Sequence, residues 1–470
     1  MTSTKMLFTA IISLLTSGVM AQTDTTNNYS FNLQECIDYA LKNQTAVLNA
    51  EIDTKIADAK VRETIGIGLP QVSGTADFSD YLKSPVVLFP DFIGPAIYGA
   101  IEDNVRDANG NPLTVNRPAG VGGFQEVNFQ QKYNSNLGLS INQLIFSGSY
   151  IVGLQASKTY KELSQRNYTR NRIETNVAVT KAYYLVLVND EQINLLNANI
   201  TQLEVQLKQT TALNQNGFAE KIDVDRLTVL YNNLITEREN IRRSLALGNQ
   251  MLKFQMGMPV EKNLIVEGKI ADVNFDAQPV VTDTVAYRNR IEYGLAETQV
   301  KLNELDLKRY KSEYLPTLAA FGSTSMQFQN NSFKELYRNT YPATLIGLQL
   351  NVPIFSGFQK ANRVTQAKLA VQKSNNDLFN AKNSINLDIQ NSSTTYTNSL
   401  SSLNNQKRNM DLANEVLRVS KIKYEEGVGS SIEVTQAQTS LKEAENNYIN
   451  ALYEALTYKV NLEKSLGRIN

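Results

Sequence analysis

Hydrophobic and polar positions alternate in four short segments of the chain, and this pattern predicts four strands. In the clearest segment Leu137, Leu139 and Ile141 share one face, while Asn136 and Ser140 lie on the other. An apolar face opposite a small polar face over about ten residues is typical of a strand that separates lipid from water. The four segments are residues 70–82, 133–146, 316–328 and 342–355.

Long polar stretches with a heptad hydrophobic repeat flank these segments and predict long helices. In the last stretch Ala437, Leu441, Ala444 and Tyr448 follow spacings of four, three and four, as in a coiled-coil seam. The stretch 149–213 lacks proline, and a helix of that length is about 100 Å long. The predicted helices cover residues 32–65, 149–213, 221–256, 284–314, 357–425 and a final segment that ends near 466.

Repeated residues at a constant spacing indicate an internal duplication. The pairs Gly217 and Gly427, Ile222 and Ile432, and Gly257 and Gly467 are each 210 positions apart. The prediction is a first repeat at 22–259, a connector at 260–283 and a second repeat at 284–470. Each repeat contains one helix, two strands and one helical hairpin. Ile-Phe-Ser-Gly joins a strand to a helix in both repeats, and we single out Gly148, Pro353 and Gly357 as junction residues.

Composition restricts the chemistry that the chain can perform. Lys and Arg number 46, as do Asp and Glu, so the chain lacks the net positive charge that nucleic-acid binding demands. With no histidine and one cysteine, metal sites built on these residues and Ser–His or Cys–His catalysis are excluded. No Walker-type phosphate loop is present. We predict that the protein is not an enzyme and uses no cofactor.

The first 21 residues have the pattern of a secretory signal peptide. Lys5 precedes the apolar segment 6–15, and cleavage is predicted before Gln22. An apolar segment of about ten residues is too short to span a bilayer, which takes about 20. No apolar run of 18 residues follows, so no transmembrane helix is predicted.

Four strands are too few to close a membrane barrel in one chain. The smallest such barrels have eight strands, and open sheet edges are not tolerated in lipid. The strands must therefore be shared among several chains. A shared barrel followed by long helices with narrow seams predicts a conduit, in a chain that is mainly α with a membrane β-barrel.

Several motifs, taken in order, resemble the TolC-like family of outer-membrane efflux proteins. They are Leu-Gln-Glu-Cys-Ile-Asp-Tyr-Ala-Leu at 33–41, Leu-Pro at 69–70 and 315–316, Val-Pro-Ile-Phe-Ser-Gly at 352–357, and the hairpin tips at 216–224 and 426–434. The resemblance covers nearly the whole mature chain. It implies a homotrimer in outer-membrane lipid, with a 12-stranded β-barrel continued by an α-helical barrel in the periplasm. It also implies a periplasmic adaptor protein and an inner-membrane pump as partners.

The resemblance further implies a periplasmic gate. In the family the second hairpin tip carries two acidic residues, three positions apart, that constrict the pore. Here these positions hold Glu433 and Gln436, so one ring is acidic and the other neutral. With Asp223 they form the predicted gate. The alternative is that Glu433 only stabilises the start of its helix through the helix dipole.

The two hairpin turns are the predicted docking site for the adaptor. We expect positive φ angles at the turn glycines, because glycine reaches them without strain. The alternative is a bare turn without a partner. The predicted docking residues are Gly217, Phe218, Ile222, Gly427, Val428 and Ile432.

The first repeat is longer than the second because of an insertion at 84–129, which is predicted to be a loop. It is rich in proline and glycine and unusually apolar, with Val86, Leu88, Phe89 and Phe92. Three roles stay open: a cover for the pore mouth, a site for a surface partner, or a packed segment that stiffens the barrel rim.

Three functions fit these features. The favoured one is a passive exit duct for drugs and other small molecules. The second is the same duct serving type I protein secretion, which the sequence does not separate from the first. The third is a non-conducting tether between envelope layers, which the strands disfavour because a tether needs no water-facing polar stripe.

Overall fold

The computed structural model describes residues 29–128, 130–275 and 286–469. The predicted signal peptide and part of the predicted connector, 276–285, lie outside the described residues. The chain forms two compact units. Of the described residues, the helical unit comprises 29–58, 159–275, 286–303 and 370–469, and the sheet unit comprises those within 59–158 and 304–369. Each unit takes segments from both predicted repeats, so the compact units do not coincide with the repeats.

The described chain is mainly helical, as predicted. The α-helices are α1 (Leu33–Asn43), α2 (Thr45–Ile67), α3 (Ile93–Asn104), α4 (Gly148–Gln215), α5 (Lys221–Met256), α6 (Ile291–Ser312), α7 (Gln359–Glu425) and α8 (Ser431–Ser465). The strands are β1 (Tyr29–Phe31), β2 (Gln71–Asp80), β3 (Val87–Pro90), β4 (Phe124–Val127), β5 (Tyr133–Phe146), β6 (Leu264–Val266), β7 (Thr317–Asn330) and β8 (Tyr341–Asn351). Short 3-10 helices lie at Ile270–Asp272, Ala286–Asn289 and Phe333–Arg338. Among the described residues, no helix has both the length and the apolar character needed to cross a membrane.

The sheet unit is built on an antiparallel sheet of four strands in the order β2–β5–β7–β8. Strand β2 pairs with β5 from Gln71 opposite Asn142 to Asp80 opposite Tyr133. All four predicted strands are present, with ends shifted by a few residues. The largest shift is in β8, which ends at Asn351 rather than at 355.

The helical unit has its main core where α1, α4, α5 and α8 meet. Cys36, Val179, Leu252 and Leu456 are buried together there, one from each helix. Most of the predicted seam of α8 is buried, at positions 437, 441, 451, 455 and 462, while Ala444 and Tyr448 in the same seam are half-buried. Strand β1 pairs in parallel with β6 in the same unit. Burial of these apolar stripes supplies the main stabilisation of the helices.

The prediction of one continuous helix at 32–65 is wrong at Gln44. This residue has an extended backbone, with ψ 125°, and separates α1 from α2. Its side-chain Nε2 donates to the carbonyl oxygens of Phe254 and Gln255, at 3.2 and 3.0 Å. Because the last carbonyls of a helix lack partners within it, the break places Gln44 where it satisfies two of them at the end of α5.

The two strand-to-helix junctions differ although they share a motif. Gly148 begins α4 directly, and a Cβ there would lie 2.9 Å from Leu315 Cδ1. The helix predicted to start at Gly357 starts instead at Gln359. Gly357 and Phe358 both have left-handed backbones, with φ +57° and +63°, which is unusual for phenylalanine. Pro353, which has no N–H to donate, follows the end of β8.

The insertion is not a plain loop. It contains helix α3, and strands β3 and β4 form an antiparallel pair from Val87 opposite Val127 to Pro90 opposite Phe124. The sequence did not reveal this strand pair, because its strands are only four residues long and are separated by a helix and a proline- and glycine-rich segment.

Candidate functional site

The four-stranded sheet has two chemically different faces. Directly opposed residues in an antiparallel sheet project to the same side, so the register extends the alternation of β5 across all four strands. The apolar face carries Val72, Gly74, Ala76 and Phe78 on β2, Leu137, Leu139 and Ile141 on β5, Leu318, Ala320, Gly322, Thr324, Met326 and Phe328 on β7, and Thr344, Ile346, Leu348 and Leu350 on β8.

Most large side chains of this apolar face are exposed in the single chain. The two threonines of this face, Thr324 and Thr344, form a hydrogen bond with each other, with their hydroxyl oxygens 3.0 Å apart. A contiguous apolar surface of this extent is unusual on a protein surrounded by water and marks a contact with lipid or protein.

The polar face consists mainly of uncharged hydrogen-bonding residues. Its members are Ser73, Thr75, Asp77 and Ser79 on β2, Asn134, Asn136, Ser140 and Asn142 on β5, Ser323, Ser325, Gln327 and Gln329 on β7, and Gln349 and Asn351 on β8. Ser73 and Ser140 are hydrogen-bonded at 2.7 Å. Phe321 and Leu345 are among the few apolar residues on this side, and the Phe321 ring fills the space above Gly347.

Aromatic side chains cluster at one end of the apolar face. Phe78 stacks on Tyr133 with ring centres 6.4 Å apart, and Phe333 makes edge contacts with both. Phe328 contacts Tyr337 at 5.0 Å. Aromatic residues at the border of an apolar band are typical of membrane–water interfaces.

The hairpin tips, defined as residues 214–223 and 424–433, have equivalent turns. The N–H of Phe218 donates to the carbonyl of Leu213, and that of Val428 to the carbonyl of Lys423, five residues back in each case. Gly217 and Gly427 have φ +76° and +74°, as the sequence predicts, and this left-handed glycine is typical of such helix ends.

Apolar side chains of both tips project into solvent. Phe218 is 82% exposed and Val428 is 79% exposed, and Ile222 and Ile432 are exposed as well. Burial of a side chain of this size in a protein contact contributes about 1.5 to 3 kcal/mol of favourable free energy. A partner that covers either tip would therefore gain affinity from this burial.

The predicted gate residues do not form one group. Glu433 and Gln436 are exposed near the start of α8, whereas Asp223 is half-buried. The Asp223 carboxylate accepts a hydrogen bond from the Ser431 hydroxyl and lies 3.4 Å from Arg226 Nη1. Asp223 therefore ties the start of α5 to the start of α8.

The start of α8 is capped by Ser430 rather than by Glu433. The Ser430 hydroxyl accepts a hydrogen bond from the Glu433 N–H at 3.3 Å. The Ser-x-x-Glu spacing is the sequence signal that identifies Ser430, and our sequence analysis missed it. Glu433 still lies in the first turn of α8, where the helix dipole favours an acidic residue.

A cavity of about 1250 Å³ lies beside the tips, between the ends of α4 and α7, with both polar and apolar side chains in its lining. Amide and hydroxyl side chains of α4 line it, among them Gln202, Gln209 and Thr210. Lys421 and Glu425 line it from α7, and burial lowers the pKa of Lys421 to about 8. The heptad analysis did not single out these residues because they lie off the hydrophobic seam.

A partly buried polar network joins α4, α5 and α8 farther from the tips. Asn199 Nδ2 donates to Glu445 Oε2 at 2.5 Å, and Asn446 Nδ2 donates to Glu237 Oε1 at 3.3 Å. Lys442 forms an ion pair with Glu237. Burial raises the pKa of Glu445 to about 7, and the negative charge of Glu237 acts in the same direction.

The raised pKa of Glu445 predicts that the helical unit loses stability between about pH 4.5 and 7. The folded chain holds the proton more tightly than the unfolded chain, so the contribution is present at low pH and is lost as pH rises through the folded pKa. We expect a loss of about 1 to 3 kcal/mol per chain across this window. Thermal unfolding of wild type and Glu445→Gln at pH 5 and 7.5 measures it. An equal pH dependence in both proteins would contradict the assignment.

Comparison with known proteins agrees with this geometry. Residues 288–468 match the family model described as outer membrane efflux protein. The outer membrane protein TolC of Salmonella enteritidis is 22% identical over 355 residues, which cover 74% of this chain and 72% of that protein. The alkaline protease secretion protein AprF of Pseudomonas aeruginosa is 22% identical over 349 residues, which cover 72% of this chain and 70% of that protein.

A solved structure shares the fold across nearly the whole chain. The outer membrane protein VceC of Vibrio cholerae superposes with a TM-score of 0.69 at 14% identity, and the alignment covers 93% of this chain and 96% of that one. Together with the sequence matches, this confirms the predicted resemblance and the mainly helical fold with a strand region. The names of the matched proteins describe outer-membrane, efflux and secretion proteins.

Proposed function

We propose that this chain, a TolC-like outer-membrane efflux protein that extends into the periplasm, is the exit duct of a tripartite efflux system. The duct passively conducts drugs and other small molecules from the periplasm to the outside. The observation that carries the proposal is the two-faced sheet. Its apolar face suits contact with lipid, and its polar face suits a water-filled lumen.

The free edges of the sheet support a homotrimer. In the order β2–β5–β7–β8, the outer edges of β2 and β8 lack strand partners within the described chain. The two edge strands run antiparallel to each other and have 10 and 11 residues, so β2 of one copy can pair with β8 of the next. Lipid does not tolerate open edges, and three copies close a barrel of 12 strands.

The hairpin tips support an adaptor partner. Exposed Phe218 and Val428, with the isoleucines beside them, form an apolar knob next to the polar groups of Asp223 and Ser431. Apolar anchors surrounded by polar groups are typical of protein interfaces. A periplasmic adaptor protein coupled to an inner-membrane pump is the partner that we propose for this knob.

Protein secretion is the second candidate function. The similarity to AprF, which is named for alkaline protease secretion, favours this function. The similarity to TolC is of the same size and favours the general channel role. The duct itself is the same in both cases. Complementation of strains that lack either an efflux duct or a secretion duct separates the two functions.

Single-channel recording tests the duct. Purified protein in planar bilayers is expected to produce stable ion-conducting steps, and native mass spectrometry of the same sample is expected to give three chains. A monomer that conducts would contradict the shared barrel. A trimer that never conducts would favour the tether.

The acidic ring predicts cation sensitivity at the periplasmic end. Three copies of exposed Glu433 would face one another across a narrow pore, attract cations and bind polyvalent ones. Glu433→Gln is expected to weaken the block by divalent cations added from the periplasmic side by about tenfold. A tenfold change corresponds to a loss of about 1.4 kcal/mol in the attraction between the acidic ring and the cation. The control is Gln436→Asn, which leaves the charge unchanged. Equal block in wild type and Glu433→Gln would assign the residue to the helix start alone.

A further inference from the structure

The insertion carries exposed apolar side chains that its own chain does not cover. Leu88, Phe92 and Phe124 are 61%, 62% and 73% exposed. They belong to β3, to the residue before α3 and to β4, so all three parts of the insertion contribute. An exposed group of large apolar residues on a folded element marks an interaction surface.

The polar groups of the insertion, by contrast, are used to hold its parts together. Asp91 accepts hydrogen bonds from the N–H groups of Gly94, at 2.8 Å, and Gly122, at 3.3 Å. Arg117 and Glu102 form an ion pair at 2.6 Å. These contacts hold the segment in a folded conformation, while large apolar side chains such as Leu88, Phe92 and Phe124 remain exposed to water.

The attachment point of the insertion indicates what covers it. The insertion follows β2, the edge strand whose outer side pairs with β8 of a second copy in the proposed trimer. In that pairing the end of β2 at Asp80 lies beside the start of β8 at Tyr341, and hence beside the second copy's turn at 331–340. Tyr337 of this turn is exposed.

Lipid is a poorer match for this surface. The aromatic cluster of Phe78, Tyr133 and Phe333 marks the border of the apolar face, and the insertion begins beyond Asp80 and Lys83. The segment thus lies outside the apolar band, where a protein surface is needed to exclude water.

We propose that the apolar surface of the insertion packs against a second copy of this chain and locks the oligomer at the end of the sheet remote from the helices. The inference rests on the proposed trimeric duct. It adds an interface to the strand pairing, formed by Leu88, Phe92 and Phe124 of one copy and the β7–β8 turn of its neighbour.

The test is the triple substitution Leu88→Ser, Phe92→Ser and Phe124→Ser in the full-length protein. The temperature at which the detergent-solubilised oligomer dissociates is expected to fall by at least 10 °C, while single-channel conductance stays unchanged. The control, Phe218→Ser with Val428→Ser, removes apolar groups at the hairpin tips that are even more exposed, and it is expected to leave the dissociation temperature of the detergent-solubilised oligomer unchanged. Circular dichroism of both variants establishes that the sheet is intact, and Phe92→Ser alone provides a milder variant.

Other outcomes overturn the proposal. An unchanged dissociation temperature with increased conductance would show that the insertion covers the pore mouth. An unchanged temperature with weaker binding to lipopolysaccharide vesicles would assign the surface to lipid. If the wild-type protein neither forms trimers nor conducts, the proposed function itself fails, and that result is distinguishable because it appears before any substitution is made.

Discussion

Leu348→Arg is expected to remove the protein from the outer membrane, whereas Gln349→Arg is expected to leave its level unchanged. Leu348 lies on the apolar face opposite Ala320, and Gln349 lies on the polar face opposite Ala319. A charge on the lipid-facing side costs about 2 to 4 kcal/mol at the bilayer midplane, and three copies carry it in a trimer. On the lumen side the arginine remains in water.

The two variants are matched because they are adjacent on β8, have the same opposing residue type and introduce the same side chain. Immunoblots of outer-membrane fractions measure their levels, and single-channel recordings of Gln349→Arg measure any shift in ion selectivity. Equal accumulation of both variants would mean that the two faces are not assigned to lipid and lumen. Accumulation of Leu348→Arg but not of Gln349→Arg would mean that the face with Gln349 contacts lipid and the face with Leu348 lines the lumen.

Phe218→Asp combined with Val428→Asp is expected to abolish efflux while trimers persist in the outer membrane. Both side chains are exposed in the single chain, so the substitutions remove little packing within the fold. Placing a carboxylate where an apolar contact must form leaves a buried unpaired charge, which costs several kcal/mol at each tip. Drug susceptibility should therefore approach that of a strain lacking the protein.

The control for this pair is Phe218→Leu with Val428→Ile, which keeps the tips apolar and is expected to retain resistance. Bilayer conductance of the aspartate variant should equal that of wild type, because docking and conduction are separate properties. Full resistance in the aspartate variant would place the adaptor contact elsewhere. Substitution of Gly217 and Gly427 is a less direct test, since a Cβ at either position meets no atom within 4 Å and the cost is confined to left-handed backbone strain.

The sequence alone determined the periodic parts of this protein. Period-two alternation located the four strands, and heptad spacing located the buried seam that includes Leu441 and Ala455. The turn glycines were predicted with their positive φ, because a helix end of this type needs a left-handed residue. These features depend on neighbours within a few positions, so the local order of residues contains them.

Tertiary structure decided the features that depend on distant partners. The helix break at Gln44 coincides with hydrogen bonds from its side chain to the carbonyls of Phe254 and Gln255, which lie more than 200 positions away. Asp223, one of the predicted gate residues, accepts a hydrogen bond from Ser431 across the two tips, a contact that its local sequence does not reveal. The raised pKa of Glu445 arises where three helices bury a carboxylate beside Asn199. Local periodicity states which face of an element is apolar, but only the packed chain determines which polar groups meet.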